Sequence, residues 1–216
     1  GIENFDPDML IRMGKVKSPR DNLTNEELEN YRAFYESSYI NPAFRATDAL
    51  LRYPNVETGI LFILGMPNET SNTEDMNLRA LERIGRSAYN LPGTAHVYQS
   101  ISVVYPGTHD TQRLLNLTDP TWNTIFEDYT KWESGNGNDP DRLYIRKFMQ
   151  DNFAHGSGGI PWGILDMDEL SQRRFKIDRS KLERVENYLG RLKALENIEG
   201  CDLKVHSYYS DLQRNY

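Results

Sequence analysis

Gly59-Ile60-Leu61-Phe62-Ile63-Leu64-Gly65 is the longest unbroken apolar run in the chain, and it decides the fold class. A run of this length is too short to span a bilayer and is typical of a fully buried strand. A polar loop, an amphipathic helix and a second strand-like stretch at 96–105 follow in order. Strand, helix and strand form a βαβ unit, because parallel strands need a long crossover connection. We therefore expect residues 58–105 to contain two parallel strands with a helix across one face.

Two local signals mark helix starts elsewhere in the chain. Aspartate followed by proline is one, because aspartate caps a first turn and proline suits its first position. A capping box is the other, since its two side chains satisfy two backbone donors reciprocally. The Asp-Pro pairs begin at Asp6, Asp119 and Asp139, the capping boxes begin at Thr24 and Ser180, and Thr73 is the expected cap after the first strand.

The pattern predicts an α/β or α+β fold. Residues 202–209 are typical of a third strand. We expect a small, mostly parallel sheet of about three strands with a central βαβ unit, surrounded by roughly six to seven helices. We further expect residues 1–20 to form an N-terminal helix and arm, residues 21–210 a single globular α/β domain, and residues 211–216 a polar tail.

Composition narrows the classes of function. The net charge of -7 supplies no overall electrostatic footprint for nucleic acid, although it is compatible with a local basic groove. The single cysteine, Cys201, permits no internal disulfide, so we expect a reducing, intracellular compartment. No apolar run is long enough to cross a membrane, so no membrane partner is expected.

The carboxyl edge of the expected sheet is the best place for a site. In open α/β sheets, ligands bind beyond the carboxyl ends of the strands. A histidine titrates near neutral pH, and a carboxylate can fix its tautomer, so the two suit acid–base chemistry. An ordinary polar loop with helix caps is the competing interpretation. The catalytic candidates are Glu69, His109 and Asp110, and the ligand-binding candidates at the same edge are Asn68, Thr70 and Thr108.

A glycine-rich stretch supplies two further ligand-binding candidates, His155 and Ser157. A nucleophile elbow requires G-x-S-x-G between a strand and a helix. The segment before Ser157 is helical in pattern, so a turn is the simpler interpretation. The loop at 65–73 lacks both the Walker ending and the GxGxxG pattern, so no cofactor is expected. The histidine and cysteine spacing indicates no metal site.

Two functions from different classes fit these observations. A structural, protein-interaction or assembly subunit is favoured, because no catalytic or cofactor motif is complete. A protein partner or self-association is then expected. The alternative is a small α/β hydrolytic or group-transfer enzyme with its site at the carboxyl edge of the sheet.

Overall fold

The sheet has the predicted size and direction. Within the described residues, three parallel strands lie in the order β1-β2-β3, which confirms the α/β fold with its βαβ unit. The strands are β1 (Glu57–Leu64), β2 (Thr94–Ile101) and β3 (Leu203–Ser207). The structure, a computed structural model, describes residues 4–13, 23–66, 69–101, 122–152 and 160–207.

Helices make up most of the remaining described chain. A π-helical turn, Glu36–Ile40, joins two of them without interrupting the helical backbone. Short 3₁₀ turns lie at Trp162–Ile164 and Leu195–Asn197. The α-helices are α1 (Pro7–Met13), α2 (Asn25–Tyr35), α3 (Asn41–Leu51), α4 (Ser71–Asn90), α5 (Trp122–Ser134), α6 (Pro140–Asn152), α7 (Met167–Ser171) and α8 (Arg179–Ala194).

The chain divides into two compact units. The described residues of the first unit are 4–13, 23–62, 69–98 and 188–205. Those of the second unit are 63–66, 99–101, 122–152, 160–187 and 206–207. The single domain expected over 21–210 stays a prediction.

In the first unit, the described helices cover one face of the sheet. Ile60 and Phe62 are buried, whereas Leu61 between them is 42% exposed. The Phe62 ring stacks on Tyr188 of α8, with 6.2 Å between ring centroids. The prediction that this strand is fully buried is therefore wrong. An unbroken apolar run does not reveal that alternate side chains of a strand face opposite sides, and only one side meets the helices here.

Helix α3 packs against α4 in the same unit, and the residues just before α1 are hydrogen-bonded to α4. The backbone N–H of Phe5 donates to Asn77 Oδ1 at 2.7 Å. The Thr73 hydroxyl donates to Asp6 Oδ2 at 2.6 Å. These buried bonds fix the start of α1 against α4, because breaking either leaves a desolvated polar group behind.

Where the predicted start is described, the helices follow the predicted signals with two shifts, and the predicted start at Asp119 lies outside the described residues. Thr24 caps α2 through a complete capping box, as predicted. Helix α4 is capped by Thr70, and Thr73 is its partner in the capping box, so the expected cap at Thr73 is wrong. Helix α8 is capped by Asp178, which accepts from the N–H groups of Ser180 and Lys181, both at 3.1 Å. In both cases a second capping residue lies close to the predicted one, and local sequence alone does not choose between them.

The second unit is held by an apolar core and a buried arginine. Ile125 of α5 and Ile145 of α6 are fully buried there. Arg142 is only 4% exposed, and its guanidinium donates to the backbone carbonyls of Gly135 and Gly137. This side chain fixes the loop between α5 and α6, because it supplies partners for carbonyls that have left the helix.

Candidate functional site

The carboxyl edge of β1 carries a buried carboxylate. Glu69 lies between β1 and α4 and is 5% exposed. Thr70, the next residue, uses its hydroxyl to accept from the Thr73 N–H at 3.3 Å. The predicted ligand-binding side chain of Thr70 therefore serves as the cap of α4. Glu69 is placed at the start of that helix, where the helix dipole favours a negative charge.

A buried tyrosine lies close to this carboxylate. Tyr188 of α8 is 2% exposed, and its hydroxyl has no hydrogen-bond partner among the described residues. Burial raises the pKa of Tyr188, and the negative charges of Glu69 and Glu74 raise it further. The phenol is therefore a neutral hydrogen-bond donor at physiological pH. Because its pKa is raised away from neutrality, the phenol is a weak acid, and what it offers beside the Glu69 charge is a hydrogen bond rather than a proton.

The other predicted site residues lie outside the described part of the chain. They are Asn68, Thr108, His109, Asp110, His155 and Ser157. Their convergence with Glu69 stays a prediction. Among the described residues, no group of three or more His, Cys, Asp or Glu side chains is arranged to hold a metal ion. None of the described helices combines the length and apolar character that crossing a membrane requires.

The sequence analysis did not identify a second feature. It consists of the exposed side chains of α2, α3, α4 and the turn after α3, and we name it the α2–α4 surface. No lysine occurs between Lys17 and Lys131, so every cation on these helices is an arginine. Four large apolar side chains are exposed on this surface: Phe34 at 43%, Leu50 at 45%, Tyr53 at 62% and Tyr89 at 63%. Protein interfaces are enriched in arginine and aromatic residues and depleted in lysine. A count of residue types by segment would have found this signal.

The arginines of the first unit fall into two groups. Several are matched by carboxylates: Arg32 by Asp8 at 2.7 Å, Arg86 by Glu82 at 2.6 Å, and Arg191 by Asp75 at 2.5 Å. By contrast, Arg52 and Arg83 form no ion pair in the described structure.

Arg52 and Arg83 line one open groove between α3 and α4. Its volume is about 450 Å³. The Arg83 guanidinium lies over the Phe44 ring, 3.9 Å from its centroid. We name this feature the α3–α4 groove, and its lining residues are Asp48, Arg52, Arg83, Arg86, Ser87, Asn90 and Leu91.

Comparisons with known proteins give no match. No protein-family model fits the chain, and neither a curated protein nor a solved structure is significantly similar to it. The function is therefore inferred from the geometry and chemistry of the chain itself.

Proposed function

We propose that this protein is a protein-interaction subunit whose partner docks on the α2–α4 surface. The observation that carries the proposal is the composition of that surface, which presents arginine and exposed aromatic side chains and no lysine. A tyrosine ring contributes a large contact area at a small cost in side-chain entropy. Arginine and tyrosine are also the residue types that dominate measured binding energies at interfaces.

The exposure of individual side chains supports the same proposal. Tyr53 and Tyr89 keep more than half of their surface in contact with solvent. A single exposed aromatic is ordinary on a protein surface. Several of them on helices whose cations are all arginines are the composition expected of a binding surface.

Affinity capture with matched variants tests this function. The double variant Tyr53→Ser/Tyr89→Ser removes two exposed anchors, and Leu143→Ser is the control because Leu143 on α6 is 48% exposed. We expect a protein captured by the wild type and by Leu143→Ser to be lost by the double variant. The captured protein is then purified, and its dissociation constant is measured against all three forms. Loss of both anchors should weaken binding by roughly a hundredfold or more.

A second experiment tests whether the partner is another copy of this chain. Size-exclusion chromatography with light scattering over a range of concentrations reports whether the partner is a second copy. The proposal is overturned if the wild type stays monomeric at every concentration and no captured protein depends on Tyr53 and Tyr89.

A second candidate function rests on the carboxyl edge of β1. The proximity of the neutral Tyr188 phenol to Glu69 supports a small α/β hydrolytic or group-transfer enzyme with Glu69 as its base. The test is turnover of p-nitrophenyl esters and p-nitrophenyl phosphate by the wild type and by Glu69→Gln. Glu82→Gln is the control, since Glu82 pairs with Arg86 on the surface. Removing the base should lower the rate by about a hundredfold or more. Equal rates, or no turnover by the wild type, would reject this candidate.

A further inference from the structure

We infer that the α3–α4 groove binds an acidic segment of the partner protein, with a carboxylate held by Arg52 and Arg83. This inference rests on the proposed function and adds the chemistry of the partner. Both arginines line the groove, and neither has a carboxylate partner among the described residues. Arginine presents a planar fork of donors that matches a carboxylate with two parallel hydrogen bonds.

Arg83 is held in place before any partner arrives. Its guanidinium lies over Phe44, 3.9 Å from the ring centroid, and the Phe44 ring is itself stacked on Phe5 with 5.3 Å between centroids. A guanidinium on an aromatic face keeps its N–H edges available for in-plane donation. Binding a carboxylate therefore costs less side-chain entropy here than at a freely rotating arginine.

The charge in the groove suits carboxylates better than a nucleic acid. Glu82 already matches Arg86, and Asp48 adds a negative charge to the lining, so only a small positive excess remains. The carboxyl ends of α3 and α4 also point their partial negative charge toward this end of the helices. One or two carboxylates satisfy the unpaired arginines. A nucleic acid carries one phosphodiester charge per nucleotide along its whole length, so it would meet more repulsion from Asp48 and from the net charge of -7 than a segment with only one or two carboxylates.

A neighbouring groove indicates that the acidic residue is flanked by an apolar one. Arg83 also lines an open groove of about 430 Å³ whose walls include Ile40, Phe44 and Met76. A segment that places a carboxylate at Arg83 can therefore place a nearby large side chain on apolar walls. The occupant is a segment that carries one or two acidic residues and a large apolar residue close to them.

Fluorescence anisotropy with defined probes tests this inference on the full chain. The probe is a short fluorescein-labelled peptide with two Glu residues flanked by Leu residues, and its matched control has Gln in place of each Glu. We expect the Glu peptide to bind about tenfold or more tightly than the Gln peptide, because each charged pair contributes roughly a factor of ten. Its affinity should fall as salt is raised, since the groove is open to solvent.

Three variants assign the binding to the groove. Arg52→Gln and Arg83→Gln should each weaken binding of the Glu peptide by about tenfold. Arg45→Gln is the control, because Arg45 is exposed on α3 and does not line the groove. It should change the affinity by less than about twofold, within the usual effect of a distant surface charge. A thermal melt of each variant confirms that the fold is retained.

Several outcomes overturn the inference. They are equal affinity for the Glu and Gln peptides, an equal loss in Arg45→Gln, or tighter binding of single-stranded DNA through Arg52 and Arg83. Its failure is distinguishable from failure of the proposed function. If a partner that depends on Tyr53 and Tyr89 still binds Arg52→Gln and Arg83→Gln normally, only the assignment of the groove is lost.

Discussion

Tyr188 carries a buried polar group that adds nothing to stability in the described structure. Its ring is buried against Phe62, while its hydroxyl has no hydrogen-bond partner among the described residues. A buried polar group without a partner costs about 1–3 kcal/mol. Phenylalanine at this position would keep the buried ring and remove that cost.

Replacing Tyr188 by Phe tests this cost. We expect the free energy of unfolding at neutral pH to stay unchanged or to rise by about 1 kcal/mol, because the change removes an unmatched hydroxyl and keeps the ring. Urea denaturation followed by circular dichroism measures it. Tyr53→Phe, at a tyrosine that is 62% exposed, is the control. A loss of more than about 1 kcal/mol would show that the hydroxyl has a stabilising partner.

The same substitution has a pH signature. Burial raises the pKa of Tyr188 in the folded state, so the folded protein holds this proton more tightly than the unfolded chain. The resulting stability is complete below the unfolded tyrosine pKa of about 10 and is lost as the pH rises above it. We expect the alkaline fall in unfolding free energy to be shallower in Tyr188→Phe. Identical alkaline profiles for the two proteins would contradict this.

At Gly85, α4 comes very close to the chain before β3, which leaves no room for a larger residue. A Cβ at position 85 would overlap the Cys201 sulfur. Gly85→Ala should therefore destabilise the protein by about 2 kcal/mol through overpacking. Cys201→Ala removes the sulfur, so the double variant should lose less than the sum of the two single changes. Thermal melts of the four proteins complete this cycle, and simple additivity would argue against the clash.

At the scale of elements, capping decides where the helices begin. The sequence patterns at Thr24 and Asp139 identify true caps, and Asp139 accepts from the N–H of Asp141 at 2.9 Å. Capping is predictable because donor and acceptor lie within a few residues of each other. The choice between two neighbouring capping residues is not predictable, because each offers an oxygen at a suitable spacing.

Helix α8 provides a direct test of that choice. Asp178→Ala should lower the free energy of unfolding by about 1 kcal/mol, because it removes the acceptor for two backbone donors. Ser180→Ala should change it by less than about 0.5 kcal/mol, although Ser180 begins the capping-box pattern. Chemical denaturation of both variants gives the comparison. A larger loss in Ser180→Ala would restore Ser180 as the cap.

The candidate site contains contacts that the sequence does not predict. The position of Glu69 after β1 follows from one local pattern, and its catalytic role stays a prediction. Tyr188 approaches Glu69 only because α8 packs on the buried face of β1. Similarly, Arg83 meets Phe44 only because α3 packs on α4. Contacts between segments far apart in sequence depend on tertiary packing, and no periodicity or motif within either segment encodes them.

At the scale of the whole molecule, the sheet of the first unit has one face covered by the described helices. A matched pair of substitutions on adjacent residues tests this arrangement. Ile60→Ala should cost about 2–5 kcal/mol, since Ile60 is 2% exposed in the core. Leu61→Ala should cost less than about 1 kcal/mol, because its side chain already meets solvent. Denaturation midpoints supply the measurement, and equal losses at both positions would mean that both faces are covered.

The arginine-only character of α2–α4 has a practical consequence for anyone handling the protein. Amine-reactive reagents attack lysine, and this part of the chain has none between Lys17 and Lys131. Coupling the protein to a surface through its amines would therefore leave the α2–α4 surface unmodified and free to bind. For the same reason, lysine-directed cross-linking would miss a partner docked there, whereas arginine-directed glyoxal reagents would report its footprint directly.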